Sequence, residues 1–85
     1  MKDVIIYTKP ECPFSKKAKN LLKEKGVHFD ERDVLDEKIA KELREKCEDG
    51  CATVPQVFID GELIGGYDRL AALDEEGKLD ALLSN

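Results

Sequence analysis

The chain contains no apolar run that approaches the roughly 20 residues that a membrane-spanning helix needs. It also lacks an N-terminal apolar segment followed by a cleavage site, since the charged opening Met1-Lys2-Asp3 passes directly into a short strand-like run. These two absences argue against a membrane partner and against a secretory leader. We therefore expect a cytoplasmic protein.

A net positive charge is missing as well. The formal net charge is -5 at pH 7, and charged and hydrophobic residues make up 39% and 41% of the chain. This balance is typical of a globular protein and argues against nucleic acid as a partner, because phosphate binding needs a basic face. Internal repeats, linkers and low-complexity segments are also absent, so residues 1–85 are expected to form a single domain.

The cysteine count is not even. The three cysteines, Cys12, Cys47 and Cys51, suit a disulfide framework poorly and suit a protein that uses thiols chemically. Their spacing does not match a tetrahedral zinc site with four ligands, so no metal is predicted. In the cytosol these thiols would be kept reduced.

What is present is a regular alternation of strand and helix signals. Apolar runs bounded by charge predict strands, and apolar residues at helical spacing predict helices. Asp36 is predicted to cap the second helix, Asp60-Gly61 to form a hairpin turn, and Asp68 to cap the last helical region. The predicted strands cover residues 4–7, 27–34, 54–60 and 62–64, and the predicted helices 13–25, 37–46 and a stretch from about 70 onward that Gly77 interrupts.

The order β-α-β-α-β-β-α predicts an α/β fold, with a four-stranded mixed sheet flanked by helices. The first two strands are joined by a helix and should be parallel, whereas the last two should form a hairpin. Open sheets of this kind have their sites at the carboxyl ends of strands. Cys12 follows the carboxyl end of the first strand, where such a site is expected.

Cys12 is predicted to lie at the start of the first helix, directly before Pro13. A helix start presents unpaired N–H groups and the positive end of the peptide dipoles, so it favours the thiolate, which is the nucleophilic form. Lys9, Lys16 and Lys17 add positive charge nearby, although the last two also suit a solvated helix face. The alternative of an inert buried cysteine fits the flanking prolines poorly.

Ser15 lies one helical turn after Cys12, where a resolving cysteine would complete a C-x-x-C pair. Serine cannot form a disulfide, so a mixed disulfide on Cys12 must be resolved by an outside thiol, by Cys47 or by Cys51. The Ser15 hydroxyl either donates a hydrogen bond to the thiolate or caps the helix. Both interpretations are kept.

Three segments resemble the glutaredoxins, in particular the small bacterial members with the thioredoxin-like fold. The resemblance covers the whole chain, in order and at suitable spacing, and the three segments together are specific. They are Thr8-Lys9-Pro10-Glu11-Cys12-Pro13-Phe14-Ser15, Thr53-Val54-Pro55-Gln56-Val57-Phe58-Ile59 and Gly65-Gly66-Tyr67-Asp68.

The resemblance implies that glutathione is the co-substrate and that no cofactor is tightly bound. It implies that Cys12 attacks glutathionylated proteins or small disulfides, that Pro55 is a cis proline, and that the protein is a monomer. By the same resemblance Lys9 pairs with a glutathione carboxylate and the Val54 backbone pairs with glutathione like an added strand. The other implied glutathione-binding residues are Phe14, Thr53, Gly66, Tyr67 and Asp68.

The sequence departs from the family pattern in three places. Ser15 replaces the second cysteine of the dithiol members, which predicts a monothiol mechanism with Ser15 beside Cys12 in the catalytic centre. Arg69 stands where the family usually has an acidic residue for the glutathione ammonium, and Asp68 is the candidate substitute. Cys47 and Cys51 flank an acidic loop, and Cys51 is a possible resolving thiol beside the interpretation of two ordinary cysteines.

The leading hypothesis is a glutathione-dependent thiol–disulfide oxidoreductase. One alternative is an iron–sulfur cluster carrier, in which the active-site cysteine and glutathione hold a cluster between two protomers. The family members that do so usually have glycine after the cysteine, whereas Pro13 occupies that position here. A second alternative is an electron donor that works without glutathione, which the missing second cysteine disfavours.

Overall fold

The computed structural model describes residues 3–47 and 54–83. Within these ranges the elements alternate as predicted, and the predicted polar loop at 48–50 lies outside them. The elements are β1 (Val4–Thr8), α1 (Pro13–Glu24), β2 (Asp30–Asp33), α2 (Glu37–Lys46), β3 (Gln56–Ile59), β4 (Glu62–Gly65), α3 (Tyr67–Glu75) and α4 (Leu79–Leu83).

The described strands form one mixed sheet in the order β2-β1-β3-β4. β1 is parallel to β2 and antiparallel to β3, and β3 and β4 form the predicted hairpin. Both inner strands are almost fully buried, which explains why each is a continuous apolar run rather than an alternating one. The predicted α/β class with a four-stranded mixed sheet is confirmed.

The larger core lies on the sheet face that α1, α3 and α4 cover. Ile6 and Val57 project from the two inner strands, and Leu22, Leu70 and Leu79 meet them from the three helices. All five are 0% exposed. Each is placed by helical or strand periodicity, so this face follows from the apolar pattern of the chain.

The opposite face of the sheet is covered by α2. Tyr7 and Phe58, which alternate with the residues of the larger core, pack edge to face with ring centroids 5.6 Å apart and contact Leu43. Burial raises the pKa of Tyr7, whose hydroxyl donates to Glu42 of α2. This helix therefore docks on the sheet through an aromatic pair and one buried polar contact.

The starts of two elements differ from the predictions by about three residues, whereas the other predicted bounds differ by no more than two. β2 is limited to Asp30–Asp33, because Val27 and Phe29 pack against the larger core from the connecting segment rather than from a strand. Asp68 does not cap α3, because the helix begins earlier: Gly66, two residues before Asp68, is the N-cap, and its carbonyl accepts from the Leu70 N–H at 3.1 Å. The Asp68 side chain thus lies in the first turn of α3.

The other predicted boundary signals are confirmed. Asp36 caps α2 by accepting a hydrogen bond from the Lys38 N–H at 2.9 Å. The hairpin turn has positive φ at both Asp60 (50°) and Gly61 (82°), as a two-residue turn of this kind requires. Among the described residues, no helix combines the length and the apolar character that crossing a bilayer requires.

Replacing Leu22 by alanine is expected to lower the free energy of unfolding by about 2–5 kcal/mol, because it leaves a cavity in the larger core. Leu22 is 0% exposed, whereas Leu35 is 65% exposed and provides the matched control. Urea denaturation of Leu22→Ala and Leu35→Ala measures both changes. Equal, small losses in the two variants would contradict the assignment of Leu22 to the core.

Candidate active site

The candidate nucleophile lies in the turn between β1 and α1. Cys12 is the N-cap of α1, with an extended backbone and no side-chain hydrogen bond to the helix, and Pro13 follows at the first helical position. The Cys12 N–H donates to the Lys9 carbonyl and the Cys12 carbonyl accepts from the Lys16 N–H, both at 3.2 Å. The sulfur is therefore held at the open N-terminus of the helix, as predicted.

Cys12 is a free, half-buried thiol. Its sulfur donates to the backbone carbonyl of Val54 at 3.6 Å. Val54 directly precedes Pro55, and the peptide bond between them is cis, as the resemblance implied. Pro55 immediately precedes β3, where its missing N–H removes no hydrogen bond from the sheet.

The pKa of the Cys12 thiol lies below its ordinary value, and the hydroxyl of Ser15 is the largest cause. The backbone N–H groups of Ser15 and Phe14 and the charge of Lys9 lower it further, and desolvation opposes them. Each lowering group stabilises the thiolate relative to the thiol. Lys9 is thus a nearby lysine whose charge acts on the sulfur.

Ser15 is 1% exposed, and its hydroxyl has no hydrogen-bond partner among the described residues. It does not cap α1, so that interpretation is wrong: the N-cap position belongs to Cys12. A buried hydroxyl without a partner costs free energy, and ionisation of the adjacent thiol provides an acceptor. The arrangement therefore favours the thiolate. Of the two interpretations of Ser15, donation of a hydrogen bond to the thiolate is the one that remains.

A groove of about 460 Å³ opens next to the Val54 carbonyl that contacts the Cys12 sulfur. The start of α1, the segment before β3 and the start of α3 form its walls. It is lined by Phe14, Val54, Pro55, Gln56, Gly66, Tyr67, Asp68 and Arg69. Six of the predicted glutathione-binding residues are thus brought together from three distant segments, whereas Lys9 lies outside the lining and Thr53 lies outside the described residues.

Gly66 allows the start of α3 to approach the segment before β3. A Cβ atom at this position would lie 3.3 Å from the Pro55 carbonyl oxygen, which is a tight contact. Gly65 has φ +121°, a backbone conformation that favours glycine. The two glycines therefore shape the groove by bringing backbone segments together.

Lys17 and Gln56 lie at the candidate site; the sequence predicted Lys17 only as a nearby positive charge and assigned no role to Gln56. The Lys17 ammonium lies 5.5 Å from the ring centroid of Phe14 and 5.9 Å from that of Tyr67, within the range of cation–π attraction. Gln56 is a buried polar residue in an otherwise apolar strand, and it lines the groove. A single polar residue in an apolar strand is the sequence feature from which Gln56 could have been predicted. The contacts of Lys17 with the two rings depend on the tertiary structure.

A sequence model of the glutaredoxin family matches residues 4–64. Glutaredoxin 3 of Escherichia coli (strain K12) is 49% identical over 83 residues, which cover 98% of this chain and 99% of that protein. The chain belongs to the glutaredoxin family. Glutaredoxins are in general glutathione-dependent thiol–disulfide oxidoreductases with the thioredoxin-like fold, and both properties agree with the geometry described above.

Solved glutaredoxin structures share this fold over nearly the whole chain. The solution structure of glutaredoxin from Brucella melitensis has a TM-score of 0.82 and 48% identity, and covers 98% of this chain and 89% of its own. The crystal structure of a buckwheat glutaredoxin–glutathione complex has a TM-score of 0.83 and 26% identity, and covers 96% of this chain and 76% of its own.

The remaining cysteines of this glutaredoxin differ from Cys12 in environment. Cys47 ends α2, is 5% exposed in the cluster around Phe58, and is disulfide-bonded. Cys51, the predicted resolving thiol, lies outside the described residues. Cys12 is therefore the free, half-buried thiol of the described part of the chain.

Replacing Ser15 by alanine is expected to raise the pKa of Cys12, because the largest group that stabilises the thiolate is lost. Thiolate absorbance followed against pH measures the shift, and alkylation of Cys12 below the wild-type midpoint should slow in the variant. Lys9→Gln should produce a smaller rise, with Lys16→Gln in the first turn of α1 as its control. A titration midpoint that is unchanged in Ser15→Ala would contradict the assignment.

Proposed function

We propose that this chain reduces glutathione mixed disulfides by a monothiol mechanism with Cys12 as the nucleophile. The main support is the free thiol at the open start of α1, whose pKa is lowered and whose neighbour one turn on is serine. The nucleophile of thiol–disulfide exchange is the thiolate, so a lowered pKa increases the reactive fraction at neutral pH.

The reaction is a pair of exchanges. In the first, the Cys12 thiolate attacks the glutathione sulfur of a mixed disulfide, forms a Cys12–glutathione disulfide and releases the substrate as a thiolate. In the second, the thiolate of another glutathione attacks the glutathione sulfur of that disulfide. It forms oxidised glutathione and regenerates the Cys12 thiolate. The net reaction consumes one free glutathione: the mixed disulfide and this glutathione give the reduced substrate thiol and oxidised glutathione, whose second half comes from the mixed disulfide itself.

The groove provides a surface for the glutathione half of the mixed disulfide. We assign its walls to Phe14 and Tyr67, with the Val54 backbone pairing with the peptide as an added strand would. We assign Lys9, and the first turn of α3 with Asp68, to the charged ends of the glutathione molecule. Thr53 remains predicted to contact glutathione beside Val54. The buckwheat relative, solved as a complex with glutathione, supports this choice of ligand.

An outside thiol must complete the cycle. Ser15 cannot form a disulfide, and Cys47 is buried and disulfide-bonded. Glutathione itself is therefore the proposed resolving thiol, and the role of Cys51 stays a prediction. We expect a monomer in the cytoplasm, where glutathione regenerates the enzyme. Glutathionylated proteins or small disulfides are the expected substrates, with no nucleic acid or membrane partner and no tightly bound cofactor.

Cys12→Ser is expected to reduce turnover of a small glutathione mixed disulfide to the uncatalysed background, because a hydroxyl does not replace a thiolate in exchange. Cys51→Ser is the matched control and should retain turnover, since glutathione resolves the intermediate. Mass spectrometry of the wild type should show one glutathione adduct, on Cys12. Turnover that persists in Cys12→Ser would contradict the assignment of Cys12 as the nucleophile. Loss of turnover in Cys51→Ser would contradict the monothiol mechanism.

The iron–sulfur carrier alternative has a different readout. Pro13 fixes φ in the residue directly after the cysteine and stiffens the turn that a bridging cluster would have to enter. Anaerobic incubation with iron, sulfide and glutathione is therefore expected to leave a colourless monomer. A coloured dimer that contains iron and sulfide would instead favour the carrier.

A further inference from the structure

The surroundings of the groove carry more positive than negative charge, although the protein as a whole is negatively charged. The chain has a formal net charge of -5, yet among the described residues Asp68 is the only acidic one that lines the groove, and Arg69 lies beside it. Lys17 lies over the two aromatic rings of the wall, and the charge of Lys9 acts on the Cys12 sulfur. The groove is therefore locally cationic and suits a ligand that bears more than one negative charge.

Arg69 is held at the edge of the groove by its aliphatic stem. Its Cβ and Cγ atoms lie 3.3 Å and 3.5 Å from the position that a Cβ atom of Gly65 would occupy. The stem therefore packs against the turn between β4 and α3. The residue is otherwise exposed, and its guanidinium forms no ion pair with any residue in the described ranges, the adjacent Asp68 included. Its charge is therefore available to a ligand.

The backbone at this end of the groove adds to the same preference. α3 begins after Gly66, which has no side chain to cap the helix, and within the described ranges no side chain accepts from the first amides of α3. Such amides favour an anion, and a guanidinium binds a carboxylate through two parallel hydrogen bonds. A carboxylate placed here could accept hydrogen bonds from the amides of α3 and from the Arg69 guanidinium. An ammonium would be attracted by Asp68 and repelled by Arg69.

We propose that Arg69 is a specificity-determining residue that makes this end of the groove select a carboxylate and neglect an ammonium. The substrate class is then a mixed disulfide of a small peptide thiol whose end remote from the sulfur is anionic, with or without an amino group. The inference rests on the proposed function, because it concerns the glutathione half of the mixed disulfide.

The test compares two mixed disulfides of 2-mercaptoethanol. One contains glutathione and the other contains glutathione without its α-amino group, and the resolving thiol is glutathione in both assays. For the wild type, kcat/KM for the two substrates should agree within about 3-fold, because the opposite effects of Asp68 and Arg69 on the ammonium nearly cancel.

In Arg69→Asp, the ratio of the desamino to the glutathione substrate should fall by about 10-fold, because two carboxylates now attract the ammonium and repel the carboxylate. Arg69→Gln should shift the ratio in the same direction by less. Arg44→Asp is the matched control: Arg44 is exposed on α2, against the opposite face of the sheet, and the charge change is identical. The ratio should not move in this control.

The possible failures are distinguishable. If the glutathione substrate turns over and the wild type rejects the desamino substrate by 10-fold or more, the inference about Arg69 is overturned and the proposed function stands. The same holds if the ratio is unchanged in both Arg69 variants. If neither substrate turns over while Cys12 is still alkylated, the proposed function fails, and the inference fails with it.

Discussion

The active site depends on the approach of the segment before β3 to two helix starts at once. On one side the Val54 carbonyl accepts from the Cys12 sulfur at 3.6 Å. On the other side the Pro55 carbonyl lies so close to Gly66 that an added Cβ would be 3.3 Å away. The first contact joins residues 42 positions apart in the chain. The second joins residues 11 positions apart. Without them, the reactive thiol would have no groove beside it.

The groups that lower the pKa of Cys12 lie next to its sulfur, although the chain as a whole carries a net negative charge. The Cys12 pKa is lowered first by a buried hydroxyl and then by backbone N–H groups, and only lastly by a lysine charge. Hydrogen bonds of fixed geometry are less affected by salt than the charges of exposed lysines. The reactivity of the thiol therefore comes mainly from its place at the helix start. The exposed cations Lys17 and Arg69 lie further out, where they face a ligand.

Much of the fold was predictable because its signals are local. The buried runs of β1 and β3, the Asp36 cap and the positive-φ turn at Asp60-Gly61 each follow from a few adjacent residues. Predictions were wrong where packing overrides the local signal. Val27 and Phe29 alternate like strand residues but fill the edge of the core. Asp68 resembles a helix cap, yet α3 starts after Gly66, at the point where the backbone meets Pro55.

The sequence by itself determined where the candidate nucleophile lies and predicted the type of its chemistry. A cysteine between a strand and a helix predicts a stabilised thiolate, and serine one turn on excludes a disulfide within the C-x-x-S segment, because these properties depend on residue type and neighbouring backbone. Only the tertiary structure decided which residues surround that thiol. It showed that the Ser15 hydroxyl is buried without a hydrogen-bond partner in the described part of the chain, that Lys17 lies over two aromatic rings, and that Arg69 lines the groove. Those facts arise from contacts between distant segments, which periodicity and spacing along a chain do not encode.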